Sequence, residues 1–325
     1  LTYYTTITSF NKMIKLTTNN FLKQISVPII QFRQVSIEND HSQRKESHHI
    51  ETVRLAYNSY ETTQSGEDRS PLIIMHGLLG SKQNWNSVSK AIHAKTNRKV
   101  ISVDARNHGD SPHHKDHTYF HLAEDVKSLT ENLGLNRASV LGHSMGGRAM
   151  MLLALKYPQL ISSLIVADIS PVTASPNLKL MGKYFNIMRK VKINPKETLA
   201  EARQTADKLF SKEISDKPLR DFLITNLVKN VEGYGWRVNI DALDNNFAKH
   251  VALFPEQAKD LQFRGPTLFI AGSNSDYIRK SDEPEIKKLF PNANFSYIEG
   301  AGHWLHADKP SEFMNIVVPF LNQIK

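Results

Sequence analysis

The chain contains no cysteine among its 325 residues. That excludes disulfides, thiolate metal sites and a cysteine nucleophile, and it suits a reducing, intracellular setting. No apolar run approaches the roughly 18 residues that a membrane span requires, so a soluble protein is expected. Acidic residues are missing before Glu38, whereas Lys12, Lys15, Lys23 and Arg33 fall in that stretch. Those four cations supply nearly half of the net charge of +9. The rest of the chain has no basic stripe interleaved with aromatics, which argues against a nucleic-acid partner.

What the N-terminal stretch does contain is Thr, Ser and Asn, with spaced apolar side chains (Phe10, Ile14, Leu16, Phe21, Leu22, Ile25) able to form one face of a helix. Basic, hydroxyl-rich and free of acids, residues 1–37 read as a mitochondrial transit peptide; the bland alternative is a tail without an address. Residues 38–52 are polar and read as a linker.

From residue 53 onward, apolar strand-like runs alternate with helical patterns. "PLIIMHG" (71–77), "KVISVDARNHG" (99–109), "ASVLG" (138–142) and "SSLIVADISP" (162–171) are separated by amphipathic stretches, one of which stops at Gly134, a helix C-terminal signal. Such alternation predicts an α/β fold with a mainly parallel, doubly wound sheet. Between about 172 and 262 the strand signal disappears. Helix-like spacing fills 176–191, 196–211, 217–229 and 240–250, before "PTLFIAG" (266–272) restores a strand. The economical reading is one α/β domain over 53–325 with an all-helical cap at about 172–262, a span too long for a loop. A separate helical domain is the alternative.

Chemistry concentrates at "VLGHSMGG" (140–147). Gly142-His143-Ser144-Met145-Gly146 matches G-x-S-x-G between a strand and a helix, the setting of a nucleophile elbow. The turn is tight enough that side chains at 142 and 146 would collide with neighbouring backbone, and the serine is left exposed at the carboxyl end of the sheet. An elbow calls for an acid and a histidine later in the chain. His303, in "GAGHWLHADKP", lies just past a predicted strand and is the expected base; His306, three positions on, is expected to face away. For the acid, Asp276 in "AGSNSDYI" and Asp168 in "LIVADISP" both follow strands, and Asp241 is a more distant candidate that reads equally well as a helix cap. The amides of Met145 and of Leu78, in "MHGLLGSKQNW", are the expected oxyanion donors.

Two further stretches have blander readings. In "DARNHGDSP", Asp104 and Arg106 read as a structural pair at a turn. His113, His114, His117 and His121, with Asp116, match no standard ligand spacing, so no metal is expected and the segment reads as a polar rim.

Taken together, "HGLLGSKQNW", "DARNHGDSP", "GHSMGG", "VADISPV", "WRVNIDAL" and "GAGHWLHADKP" resemble the α/β-hydrolase superfamily, in particular a mitochondrial branch with bacterial esterase relatives that also contains the yeast ethanol acetyltransferases. The resemblance covers about residues 53–323. It implies that the triad is Ser144, Asp168 and His303, since the aspartate of the D-I-x-P-V stretch is the acid in that family. It also implies acyl transfer through a serine ester: acetyl-CoA as acyl donor, no tightly bound cofactor, and ethanol as acceptor to give ethyl acetate, with thioesterase and esterase side reactions. Gly147 and Ile169 depart from the acetyltransferase pattern toward the esterase side, so a mitochondrial carboxylesterase or thioesterase acting on small-molecule esters is the competing expectation. A silent scaffold of the same fold is a third.

Overall fold

The computed structural model describes residues 50–62 and 69–325. The transit-peptide reading of 1–37 and most of the linker reading of 38–52 lie outside them. In chain order the strands are β1 (Tyr57–Tyr60), β2 (Leu72–Met75), β3 (Val100–Val103), β4 (Ala138–His143), β5 (Ile161–Ala167), β6 (Leu227–Asn230), β7 (Gly233–Trp236), β8 (Thr267–Gly272) and β9 (Ala293–Ile298). The helices are α1 (Asn86–Thr96), α2 (Tyr119–Asn132), α3 (Met145–Lys156), α4 (Met181–Lys190), α5 (Leu199–Phe210), α6 (Lys217–Ile224), α7 (Ile240–Asn246), α8 (Glu283–Leu289), α9 (Leu305–Asp308) and α10 (Pro310–Asn322).

Seven strands form one sheet in the order β1-β3-β2-β4-β5-β8-β9, with β1 antiparallel and every other pairing parallel. The central strands are buried along their whole length, as parallel strands covered on both faces must be. Successive residues alternate between two cores. Ile73, Met75, Val140, Leu164 and Val166 pack with α2 and α3 residues on one face. Leu72, Ile74, Leu141 and Ile165 pack with Trp85, Ile92 and Phe313 on the other.

This topology decides where a site can form. β3 lies on one side of β2 and β4 on the other, so the chain changes winding direction between β2 and β4, where open α/β sheets bind ligands. Register aligns Met75 with Gly142, His143 with Ala167 and Ala167 with Ile270. The loops after β2, β4, β5 and β8 therefore emerge side by side along one sheet edge.

The segment between β5 and β8, read from sequence as an all-helical cap, is not all helical. Leu227–Asn230 and Gly233–Trp236 pair as an antiparallel hairpin, where the periodicity predicts the end of a helix over 217–229. The helix stops at Ile224, and Asn226 instead turns its side chain to the Leu79 carbonyl at 2.8 Å. Gly233, at φ +126°, supplies a conformation that an L side chain resists. Trp236 then closes the hairpin onto the cap, stacking on Phe210 and donating to the Met188 carbonyl.

Arg148, one turn into α3 and fully buried, ties this cap to the sheet. Its guanidinium donates to the carbonyls of Ser170 and Thr173 where the cap begins, and of Val251 and Ala252 where it ends. Arg148→Leu would leave several buried carbonyls unpaired, at a cost of about 3–5 kcal/mol. Urea unfolding should show a correspondingly lower stability, and limited proteolysis should cut first near 170–175 or 250–255. An unchanged unfolding midpoint would contradict the role given to Arg148.

Candidate active site

β4 ends at His143 and α3 begins at Met145, so Ser144 alone makes the turn, at φ +53° and ψ −119°. A non-glycine residue in this region is strained and persists only where its surroundings over-determine it. Here the surroundings are backbone: a Cβ on Gly142 would overlap the Gly146 carbonyl, and one on Gly146 would lie 2.5 Å from the His76 carbonyl. Gly147 is also constrained, since a Cβ there would lie 2.7 Å from Ile169 Cγ2. Both glycines required by the motif are thus explained, and Ser144 stays only half-buried at the sheet edge.

Of the candidate acids, Asp168 is the one that meets His303. It directly follows β5, is fully buried, and also has a positive φ, +53°. His303 Nδ1–H donates to its Oδ2 at 2.7 Å, while the Gly272 amide donates to Oδ1 at 3.1 Å and the Ser275 hydroxyl donates to Oδ2. With Nδ1 so engaged, Nε2 is left as the basic nitrogen of His303. Asp276 does not reach His303; its carboxylate accepts from Ser175 Oγ at 2.7 Å. Asp241 is also elsewhere, exposed and paired with Arg189, and the cap of α7 is Asn239.

Further residues hold the His303 ring in place, and sequence spacing gives no sign of them. Tyr277 stacks on His303 with ring centroids 3.6 Å apart and planes 17° from parallel. Burial, reinforced by the Asp276 carboxylate, pushes the Tyr277 hydroxyl up to about 12. His143 Nε2–H donates to the His303 carbonyl at 2.8 Å. His306 does not face away as expected. It is buried, stacked on Trp85 at 4.1 Å and edge-on to His143 at 5.0 Å. Burial and then the His303 charge push His306 down to about 3, so it is a neutral ring.

On the opposite side of Ser144, the loop after β2 carries Gly77 and Leu78. Met145 is the first residue of α3, so its amide is among the helix's free N-terminal donors. His76 accepts from the Ala105 amide at Nε2 (3.0 Å), which fixes its proton on Nδ1, donated to the Gly77 carbonyl at 2.7 Å. Asp104 and Arg106 pair not with each other but with Lys82 and Asp125. Of the histidines in the rim segment, His113 contacts the Arg237 carbonyl, His114 and His121 flank Asp116 at 3.6 and 3.9 Å, and His117 is buried against Met145. Among the described residues no group of three His, Asp or Glu side chains is placed to hold a metal ion.

Ser144 and His303 line one cavity of about 530 Å³ together with Leu78. The cap supplies an apolar wall of Leu178, Met181, Leu219, Phe222 and Leu223. A hydroxyl at a strained turn, an imidazole oriented by a buried carboxylate and amides at a helix start form an arrangement suited to attack on a carbonyl carbon.

The α/β hydrolase fold family matches residues 70–310. The chain belongs to this family. It is 41% identical to mouse "sn-1-specific diacylglycerol lipase ABHD11" over 86% of this chain and 89% of that protein. It is 32% identical to the Saccharomyces cerevisiae protein named "Probable alcohol acetyltransferase", over 81% and 80% of the two chains. Among solved structures, a "Marine microorganism esterase" aligns with a TM-score of 0.74 and 35% identity, covering 83% of this chain and all of that one.

Replacing the orienting carboxylate discriminates the two strand-end acids. Asp168→Asn should lower kcat for a p-nitrophenyl ester by about 10⁴, because the amide stabilises the wrong tautomer and no imidazolium. Asp276→Asn should stay within a few-fold of the native enzyme. The reverse ranking would move the acid to Asp276.

Proposed function

We propose that this α/β hydrolase is a serine-dependent carboxylic-ester hydrolase that works through an acyl-Ser144 intermediate on esters with a sizeable apolar acyl group, acylglycerols among them. His303 Nε2 takes the Ser144 proton as Oγ adds to the ester carbonyl. Asp168 keeps Nδ1 protonated and balances the imidazolium, and the Leu78 and Met145 amides receive the oxyanion. The imidazolium then protonates the departing alcohol oxygen. In the second half, His303 deprotonates a water that attacks the acyl-enzyme, then returns that proton to Ser144 Oγ as the acyl–oxygen bond breaks, releasing the carboxylic acid and restoring Ser144–OH.

The observation that carries this reading is the Asp168–His303 pair beside the strained Ser144 turn, in a cavity walled by the cap's apolar side chains. A volume of about 530 Å³ falls in the range of roughly 300–1,000 Å³ typical of drug-sized ligands, far more than an acetyl group and ethanol fill. Greater similarity to the diacylglycerol lipase than to the acetyltransferase supports the same choice.

A second reading, transfer of acetyl from acetyl-CoA to ethanol, draws on the yeast relative and requires only that an alcohol replace water at the acyl-enzyme. One product assay separates the two. The protein is offered a 1,2-diacylglycerol in one reaction and acetyl-CoA with ethanol in another, each beside a Ser144→Ala control. Hydrolysis predicts Ser144-dependent release of fatty acid and no ethyl acetate above control. Ser144-dependent ethyl acetate without fatty acid would replace the first reading by the second, and no product in either would remove both.

A further inference from the structure

Leu79 follows the Leu78 amide that would receive the oxyanion. It is buried, and its φ of +62° is a conformation that residues other than glycine avoid. Both of its backbone groups are gripped by side chains from distant parts of the chain. Its N–H donates to His108 Nε2 at 3.1 Å, and its carbonyl accepts from Asn226 Nδ2 at 2.8 Å.

The chemistry of each grip is determined. His108 Nδ1 lies 2.9 Å from the Arg106 carbonyl, which can only accept, so the ring proton sits on Nδ1 and Nε2 is the acceptor. Complete burial, followed by the neighbouring His76 and His117 rings, holds the His108 pKa well below its ordinary value, so this tautomer is kept. Asn226 is buried, and its Nδ2 also approaches the Leu223 carbonyl at 3.4 Å. The carboxamide must therefore present its nitrogen, not its oxygen, to Leu79.

The two grips come from different structures. His108 stands on the loop after β3, and Asn226 on the cap between α6 and β6. The same loop also braces the other donor: His117 Nδ1 accepts from Asn107 at 3.4 Å, and its Nε2–H points to Met145 Sδ at 3.3 Å. Asn107 is itself tied to the cap, its carbonyl accepting from the Asn239 amide at 3.0 Å.

We infer that His108 and Asn226 are positioning residues for ester cleavage: by gripping the two peptide groups that flank the Leu79 Cα they aim the Leu78 amide at the substrate's carbonyl oxygen. The inference rests on the ester-hydrolase reading above. It assigns the cap a second duty besides walling the cavity, because seating Asn226 completes the oxyanion loop. Neither residue touches the reacting atoms, so their loss should weaken binding of the tetrahedral state and leave ground-state ester binding almost unchanged.

The test compares native enzyme with His108→Leu, His108→Gln, Asn226→Ala and the His108→Leu/Asn226→Ala double variant. Each is assayed with p-nitrophenyl butyrate and with an alkyl trifluoromethyl ketone, which forms a tetrahedral adduct with an active serine. His108→Leu and Asn226→Ala should each lower kcat roughly 10- to 100-fold, below the loss from deleting a donor outright, with KM within about twofold. Ketone affinity should fall in parallel with kcat. His108→Gln places an amide oxygen near the Nε2 position and should recover most of the rate, an outcome that a purely structural role does not produce. The double variant should lose less than the product of the single losses, because both hold the backbone of one residue, Leu79. If His108→Leu does not fold, His108→Gln and Asn226→Ala carry the comparison. Native-like kcat in Asn226→Ala, or losses confined to KM, would overturn the inference while leaving the hydrolase reading intact. A native enzyme inert to both the ester and the ketone would overturn that reading and the inference with it.

Discussion

Gly142 and Gly146 meet where the chain turns within a single residue, and their lack of side chains is what permits the turn. Because the two backbones touch, β4 can end at His143 and α3 can begin at Met145. Ser144 is then forced into positive φ, with its hydroxyl outside the sheet rather than in the core. The same abrupt helix start exposes the Met145 amide, and one turn later it presents Arg148 to both roots of the cap. A methyl group at Gly142 would push α3 off β4, one at Gly146 would push it off the end of β2, and either would disturb all of these consequences together.

Strain is not confined to the serine. Leu79, Ser144 and Asp168 all have φ between +50° and +65°, and each follows a neighbouring central strand, β2, β4 or β5. Such residues cost stability and concentrate where geometry serves function. Their compensation is visible in each case. Ser144 is locked by glycine packing, Asp168 by donors from Gly272, Ser275 and His303, and Leu79 by His108 and Asn226. Adjacent strand ends bring the three loops together, and polar contacts from the loops after β3 and β8 and from the cap fix them.

What could be read from sequence follows from the range of the interactions. The elbow was legible because its constraint is local: five consecutive residues between an apolar strand and a helix. His303 was legible from strand-end position and flanking glycines. The carboxylate partner of His303 is not legible there, since Asp168 and Asp276 both follow strands and only tertiary packing shows that one meets His303 while the other meets Ser175. The β6–β7 hairpin is hidden in the sequence because Leu227 and Val228 continue the apolar spacing of α6, while Asn226 between them and α6 reaches Leu79. The position of His306 does not follow from i+3 spacing, because α9 begins only at Leu305 and the ring stacks on Trp85. His108, Tyr277 and Asn226 left no trace in spacing at all, since each acts through a partner at least 26 positions away.

The central claim is that the turn at residue 144 presents one activated hydroxyl beside an imidazole. Reaction with a fluorophosphonate, followed by intact-mass measurement and peptide mapping, tests it most directly. A single stoichiometric adduct on Ser144, abolished in His303→Ala, is the expected result. A protein that stays unmodified, or one that carries the adduct on a different serine, would contradict it.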